Sequence, residues 1–493
     1  MYKEKQNFNK VVLLTLARVL GIVFTILIPM YLGRKLSIET YGTYKQIMLF
    51  FWFSQVALNF GVDDSIYYFL RKDPENFPLY SFNALLFNLF ATGLLWFLLS
   101  FYKNEIAILV GNQNLAQYLP ILGYLILVTV SSMQIEGVLI AGLNRFNERL
   151  ILEVGTEIAK SLSTICAFYY FNSVYLVLVF FSILMSLRLI SVVIIIHYCK
   201  KEKKLSYLTA STFFISQLKY GLPLGLSRVL QNILNMENFF ISSFFSLVQF
   251  TYYSIGCFEN PLVNAARSSM FEMVNLDLGY AIVENNKVQA IEVWRSMTRK
   301  LFLIIVPFIV YMIFFSKEII VFVFTDKYLP SVPFFMVFNI YLFVGALSPE
   351  PFFKATSKTY LALKIKIVGL LLGISLLVGG AYLGGPIWAL VGKIAGVFIM
   401  NSVGLIFAAR LLDTTIFKLF QWKELAGVVL LSLIVSLFLR FVFFQVLWSP
   451  FLILSLSFSL YVSLLFVLSC WINLIKEDEI YYLKSTLVRH IYK

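Results

Sequence analysis

The chain is a near-continuous succession of apolar runs, from Val11 to about Asn473. No polar gap between them is long enough to fold as a soluble domain. A bilayer core about 30 Å thick takes about 20 apolar residues per helix. In lipid every backbone polar group needs an internal partner, which leaves only helices or closed barrels. The runs are continuous rather than alternating, so they predict helices. Roughly fourteen spans fit, near 11–33, 45–69, 81–102, 116–142, 150–171, 173–199, 218–246, 250–275, 299–316, 330–352, 359–382, 385–410, 424–446 and 449–474. The fold class expected is an all-α integral membrane protein. Very short loops are predicted at Asn172, at 247–249 and at Gly384, and a surface helix after Asn286.

The formal net charge is +14, which would ordinarily raise nucleic acid as a partner. The distribution excludes it. With the N-terminus placed inside, the loop charges Lys3, Lys5, Lys10, Arg71, Lys72, Arg145, Arg149, the 200–204 run, Arg295, Arg299, Lys300, Lys354, Lys358, Arg410, Lys418, Lys423, Lys476, Lys484 and Arg489 fall on one side. Arg34, Lys35, Lys45, Lys103, Lys317 and Lys327 fall on the other. That is the positive-inside asymmetry, and it predicts both termini in the cytoplasm. The excess charge then serves topology and contact with membrane lipids. Cys166, Cys199, Cys257 and Cys470 are isolated, and His197 and His490 sit near helix ends, so no metal site, disulfide or cofactor is expected. The first apolar run lacks a small-residue cleavage site and reads as a retained helix.

A repeat runs through the sequence. Leu16-Ala17-Arg18-Val19-Leu20 in span one matches Leu226-Ser227-Arg228-Val229-Leu230 in span seven. Thr40-Tyr41 and Thr251-Tyr252 follow at nearly the same offset. Six spans separate the copies, an even number, so both run in the same direction. This predicts two six-helix lobes related by a pseudo-two-fold axis normal to the membrane. The N-lobe is 1–210, the C-lobe 211–420, and 421–493 holds two appended spans and a tail.

The segment Leu36-Ser37-Ile38-Glu39-Thr40-Tyr41-Gly42-Thr43-Tyr44 resembles a loop of the polysaccharide-transporter (Wzx-like) branch of the multidrug/oligosaccharidyl-lipid/polysaccharide flippase superfamily. Tyr220-Gly221-Leu222-Pro223-Leu224 with Glu237-Asn238-Phe239-Phe240-Ile241 is similar to that family's "GLP…DRFLI" pattern, with Glu in place of Asp. Val323-Phe324-Thr325-Asp326-Lys327-Tyr328 and Ala355-Thr356-Ser357-Lys358 resemble two further elements, each without its usual Gly. The order of these motifs, over roughly 10–410, carries the resemblance more than any one of them. The resemblance implies two lobes around a central cavity and alternating access. It also implies a multi-pass protein of the bacterial cytoplasmic membrane that exports an undecaprenyl-diphosphate-linked oligosaccharide. The partners implied are that substrate, membrane lipids, and the polymerase and glycosyltransferases of the same pathway; a monomer is expected.

Charges at membrane depth are costly and face a cavity or a partner. Arg18 and Arg228 occupy equivalent places in the repeat, so a two-fold arrangement brings both to one cavity. Arginine's planar fork suits a diphosphate, and Arg267 in span eight is a third candidate. Glu136 and Glu157 lie at similar depth in spans four and five, and Glu237 lies in span seven; these are candidates for ion coupling. Glu153, Glu157 and Lys160 share a helix face, so a plain Glu157–Lys160 ion pair is the competing reading. Glu259, Glu350, Lys393, Arg188 and Arg440 carry no assigned role. Asp63-Asp64 reads as a solvated pair. Pro261 and Pro307 read as helix bends.

Alternative functions are a multidrug/cation antiporter and a peptidoglycan-precursor (lipid II) flippase of the same superfamily. A cation site calls for carboxylates, whereas the repeated residues are arginines. No phosphate-binding Gly-rich loop is present, and the outer loops are too short for a catalytic domain, so an enzyme is not expected.

Overall fold

The computed structural model describes residues 27–59, 61–63, 65–66, 69, 76–133, 146–200, 213–222, 225–226, 229, 237–258, 260–356, 358–443, 448–472 and 474. All regular structure among the described residues is helical. Eight helices among them are long and apolar enough to cross a membrane. The expected count of fourteen spans extends onto residues outside those described. By compactness the chain divides into two units, Met1–Thr251 and Tyr252–Lys493.

The first unit contains α1 (Ile38–Asn59), α2 (Phe77–Phe101), α3 (Lys103–Leu109), α4 (Leu119–Ser132), α5 (Phe146–Phe171), α6 (Val174–Lys200) and α7 (Glu237–Phe244). Helix α8 (Leu247–Gly256) runs across the division. Between α5 and α6 the chain turns at Asn172, with φ 49°, a left-handed conformation that asparagine tolerates better than most residues. The division falls after 251, while the repeat places a lobe boundary near 210. The reason is packing of the following helical segments into the first unit. Gln217 Nε2 donates to Ser65 Oγ (3.2 Å) and to Tyr80 O (3.1 Å). Phe239 stands edge-on to Phe50 and to Phe53, each at 5.2 Å between centroids.

The second unit contains α9 (Pro261–Val283), α10 (Lys287–Phe314), α11 (Ser316–Val323), α12 (Val332–Ala346), α13 (Glu350–Ala355), α14 (Thr359–Gly384), α15 (Pro386–Leu411), α16 (Trp422–Phe443) and α17 (Pro450–Trp471). Prolines stand at the first or second position of α12, α13, α15 and α17, where the missing N–H is no loss. Two expectations need correction here. The span expected at 250–275 is two helices, α8 and α9, with 257–258 and 260 outside any helix. Pro261 lacks a donor and disfavours helix in the residue before it, so the apolar run is cut. The surface helix expected after Asn286 is the first part of α10. Asn286 caps it, its side chain accepting from Gln289 N at 3.0 Å. The helix then continues for 28 residues, about 42 Å at 1.5 Å per residue.

Helices α14 and α15 form a tight hairpin that turns at Gly385, one residue beyond the expected Gly384. A Cβ at Gly380 would lie 2.2 Å from Trp388 O, and one at Gly392 2.1 Å from Leu376 O. Small residues let two membrane helices approach this closely.

The last two helices are integral to the second unit. Tyr311, Phe315, Val435, Leu439, Phe443, Ile453, Tyr461 and Leu465 form one buried cluster across α10, α16 and α17. Tyr461 Oη donates to Pro307 O at 2.8 Å, and Tyr311 Oη lies 2.9 Å from Ser457 Oγ. Arg440 on α16 pairs with Glu318 on α11 at 2.6 Å. Arg299, read as a loop charge, is buried at 4% exposure. Its Nη1 donates to Leu474 O at 2.9 Å and its Nε lies 3.4 Å from Glu424 Oε2.

Candidate functional site

Arg18, Arg228 and Glu136 lie outside the described residues. The other predicted site residues are placed. Arg267 is half-buried on α9. Its Nη2 donates to Asn264 Oδ1 at 3.3 Å, one turn back on the same helix. Its Nη1 would lie 3.4 Å from a Cβ at Gly345 on α12, so the absence of a side chain there leaves the guanidinium its space. Glu237 on α7 is buried at 7% exposure. Glu157 on α5 is mostly exposed, with 58% of its side chain accessible, and bonds Lys160 Nζ at 2.7 Å. That is the geometry of the i,i+3 ion pair named as the competing reading.

A second cation packs against α12. Lys393 on α15 is buried at 7% exposure. Its ammonium sits 4.2 Å from the Tyr341 ring centroid and 6.0 Å from that of Phe338, within cation–π range. Tyr341 and Gly345 are four residues apart on α12 and so share one face. Arg267 and Lys393, from two different helices, therefore each approach residues on one face of α12. No sequence spacing links the two, and the signal exists only once the helices are packed.

The first unit has a polar seam where spans two, three and seven meet. Asn88 is fully buried on α2, and its Nδ2 donates to Asp63 Oδ1 at 3.1 Å. Asp63 is half-buried, so the solvated reading of this residue is corrected: a buried amide fixes the carboxylate. Beside it the chain bends at Gly61, with φ +73°. A Cβ at Gly61 would lie 2.2 Å from Gly221 O, and one at Gly221 2.6 Å from Gly61 O. The two backbones touch there with no room for a side chain on either.

A bundle of apolar helices carrying a few buried, ordered charges at membrane depth is the build of a membrane transporter. The solved structures it resembles share that fold. One is the lipid II flippase MurJ in an inward closed conformation, with TM-score 0.70 at 15% identity, covering 94% of this chain and 99% of that one. Another is a multidrug resistance transporter of the MATE family of the MOP superfamily in an inward-facing conformation. Its TM-score is 0.60 at 12% identity, covering 80% of this chain and 94% of that one. Comparison with curated proteins gives no match in sequence. Residues 31–333 match the family of polysaccharide biosynthesis proteins. The chain belongs to that family, and it is a multi-pass membrane protein with the fold of the MOP superfamily.

Proposed function

We propose that this protein translocates undecaprenyl-diphosphate-linked oligosaccharide repeat units across the bacterial cytoplasmic membrane by alternating access. The units supply polysaccharide synthesis, as O-antigen, capsule or exopolysaccharide. The observation that carries the reading is the family match over residues 31–333 on a chain that shares its fold with a lipid II flippase. The protein is a transporter rather than an enzyme and works as a monomer with both termini cytoplasmic, as the lysine and arginine asymmetry requires. Energy comes from an ion gradient or from the substrate gradient. It works beside the polymerase and glycosyltransferases of its pathway.

Arg18, Arg228 and Arg267 bind the diphosphate, and Lys393 adds positive charge from α15. A hydrogen bond to a charged group contributes about 1.5–3 kcal/mol. Arg18→Ala, Arg228→Ala, Arg267→Ala and Lys393→Met should each lower transport about tenfold to a hundredfold on that basis, at unchanged membrane insertion. Ion coupling falls chiefly to Glu136 and Glu237. Glu157, exposed and tied to Lys160, is assigned to that ion pair instead. Glu157→Gln should leave the pH profile of transport unmoved and cost under about 1 kcal/mol of stability. A displaced pH profile in that variant would return Glu157 to the coupling set.

Complementation tests the reading. Wild-type protein should restore surface polysaccharide in cells lacking a repeat-unit flippase whose sugar matches the native pathway. A second reading, transport of lipid II, is favoured by the fold match over 94% of the chain. Rescue of cells depleted of their lipid II flippase, without restoration of polysaccharide, would establish it instead.

A further inference from the structure

The second unit carries a cleft of about 720 Å³, bounded by α10, α12, α15, the 3-10 turn Ile416–Leu419 and α16. The volume falls in the range of small-ligand clefts, about 300–1,000 Å³. Its wall is almost wholly hydrocarbon, with Phe302, Phe343, Phe398, Phe417, Leu425 and Leu430 prominent. Two of the polar side chains in the wall are satisfied by backbone carbonyls. Asn401 Nδ2 donates to Val344 O at 2.9 Å, and Trp422 Nε1 donates to Phe417 O at 2.9 Å. An occupant that fills this space is therefore a hydrocarbon. Phe398, Phe417 and Leu430 are also more than half exposed, so the cavity opens sideways on the outer surface of the helices.

The mouth of the cavity carries charge. Lys418 lies in the turn beside Phe417, and Lys423 follows Trp422; both lysines are exposed. Arg295 Nε donates to Lys418 O at 2.7 Å, which pins the turn and adds a third cation. The acidic groups nearby are engaged elsewhere. Glu424 faces Arg299 at 3.4 Å, and Asp413 pairs with Lys287. Phe417, Phe420 and Trp422 cluster at the same place, the Phe417 and Phe420 centroids 6.2 and 5.3 Å from the Trp422 ring. Aromatic rings beside lysines mark the headgroup level of a bilayer. Basic pockets between membrane helices at that level hold anionic lipid heads.

We propose that this cavity holds the acyl chains of an anionic phospholipid, with Lys418 and Lys423 on its phosphate. Lysines act as point charges and suit a phosphodiester. Arg295, its Nε bonded to the turn, adds its charge beside them. The lipid is thus a resident of the fold, wedged between α16 and the helices α12 and α15.

Trp422 in the wall gives the test. The protein is placed in phosphatidylcholine nanodiscs containing about 10 mol% of a lipid brominated on its acyl chains, either phosphatidylglycerol or phosphatidylcholine. The Trp422 contribution is the fluorescence lost between wild type and Trp422→Phe. Brominated phosphatidylglycerol should quench that contribution about fivefold more strongly than brominated phosphatidylcholine. The Lys418→Gln/Lys423→Gln variant, altered only at exposed positions, should lose the preference and remain folded. Equal quenching by the two lipids in wild type would overturn the proposal, as would a preference unchanged in the double variant. Displacement of phosphatidylglycerol by an equimolar amount of undecaprenyl phosphate would also overturn it and assign the cavity to a prenyl chain.

Discussion

Gly61→Ala should abolish transport and sharply reduce the yield of folded protein. Two independent penalties act at this one position. The backbone holds φ +73°, and a left-handed conformation costs a residue with a Cβ about 1–2 kcal/mol. The new methyl carbon would also lie 2.2 Å from Gly221 O and 2.9 Å from Gly225 N. Both neighbours are backbone, so neither can rotate away. The helical segments must separate, and overpacking of this kind costs about 1–3 kcal/mol more. Separation would also strain the adjoining bonds from Gln217 to Ser65 and Tyr80 O. Gly93→Ala is the control, since its Cβ would meet nothing within 4 Å on α2. It should be neutral or slightly stabilising, as alanine is the better helix former. Size-exclusion profiles and thermal unfolding in detergent measure both. A Gly61→Ala protein as stable and active as wild type would remove the backbone contact from the account.

Arg299→Met should destabilise the second unit by about 3 kcal/mol, because losing one partner of a buried pair leaves the other uncompensated. The guanidinium closes three elements on one another. It lies on α10, reaches the carbonyl of Leu474 beyond α17, and faces Glu424 at the start of α16. Its loss leaves a carbonyl and a half-buried carboxylate short of a cation. The double change Arg299→Met/Glu424→Gln should recover part of the loss, since it removes the unpaired carboxylate. Unfolding midpoints of the single and double variants decide this. Equal midpoints for Arg299→Met and wild type would mean that the last two helices are held by the aromatic cluster around Tyr311 and Tyr461 alone.

Hydropathy made most of the membrane architecture legible. The limits of α5, α6, α14, α15, α16 and α17 fall within about four residues of the expected spans, because long apolar runs make up most of them and Asn172, Gly385, Ser449 and Pro450 punctuate several of their ends. The Glu157–Lys160 pair was legible because three-residue spacing alone places the two on one helix face. The break between α8 and α9 was not. Cys257 and Phe258 keep the apolar run going, and Pro261 reads equally as a bend or a stop. Arg299 was misplaced because hydropathy records that a charge stands at a helix end, not which neighbouring helices pack over it. The placing of Arg267 and Lys393 against α12 lay beyond any sequence period. It depends on how α9, α12 and α15 cross, and sites built from several helices are set by that packing.

The central claim is that the protein carries a lipid-linked oligosaccharide from one face of the membrane to the other. The most direct measurement reconstitutes it in liposomes with the undecaprenyl-diphosphate-linked repeat unit of its own pathway. The fraction of sugar that becomes accessible to an external glycosidase is then followed with time. Wild type should expose sugar well above protein-free liposomes, and Arg18→Ala and Arg228→Ala should fall to that background. Folded wild-type protein that leaves the sugar at the background level would contradict the account.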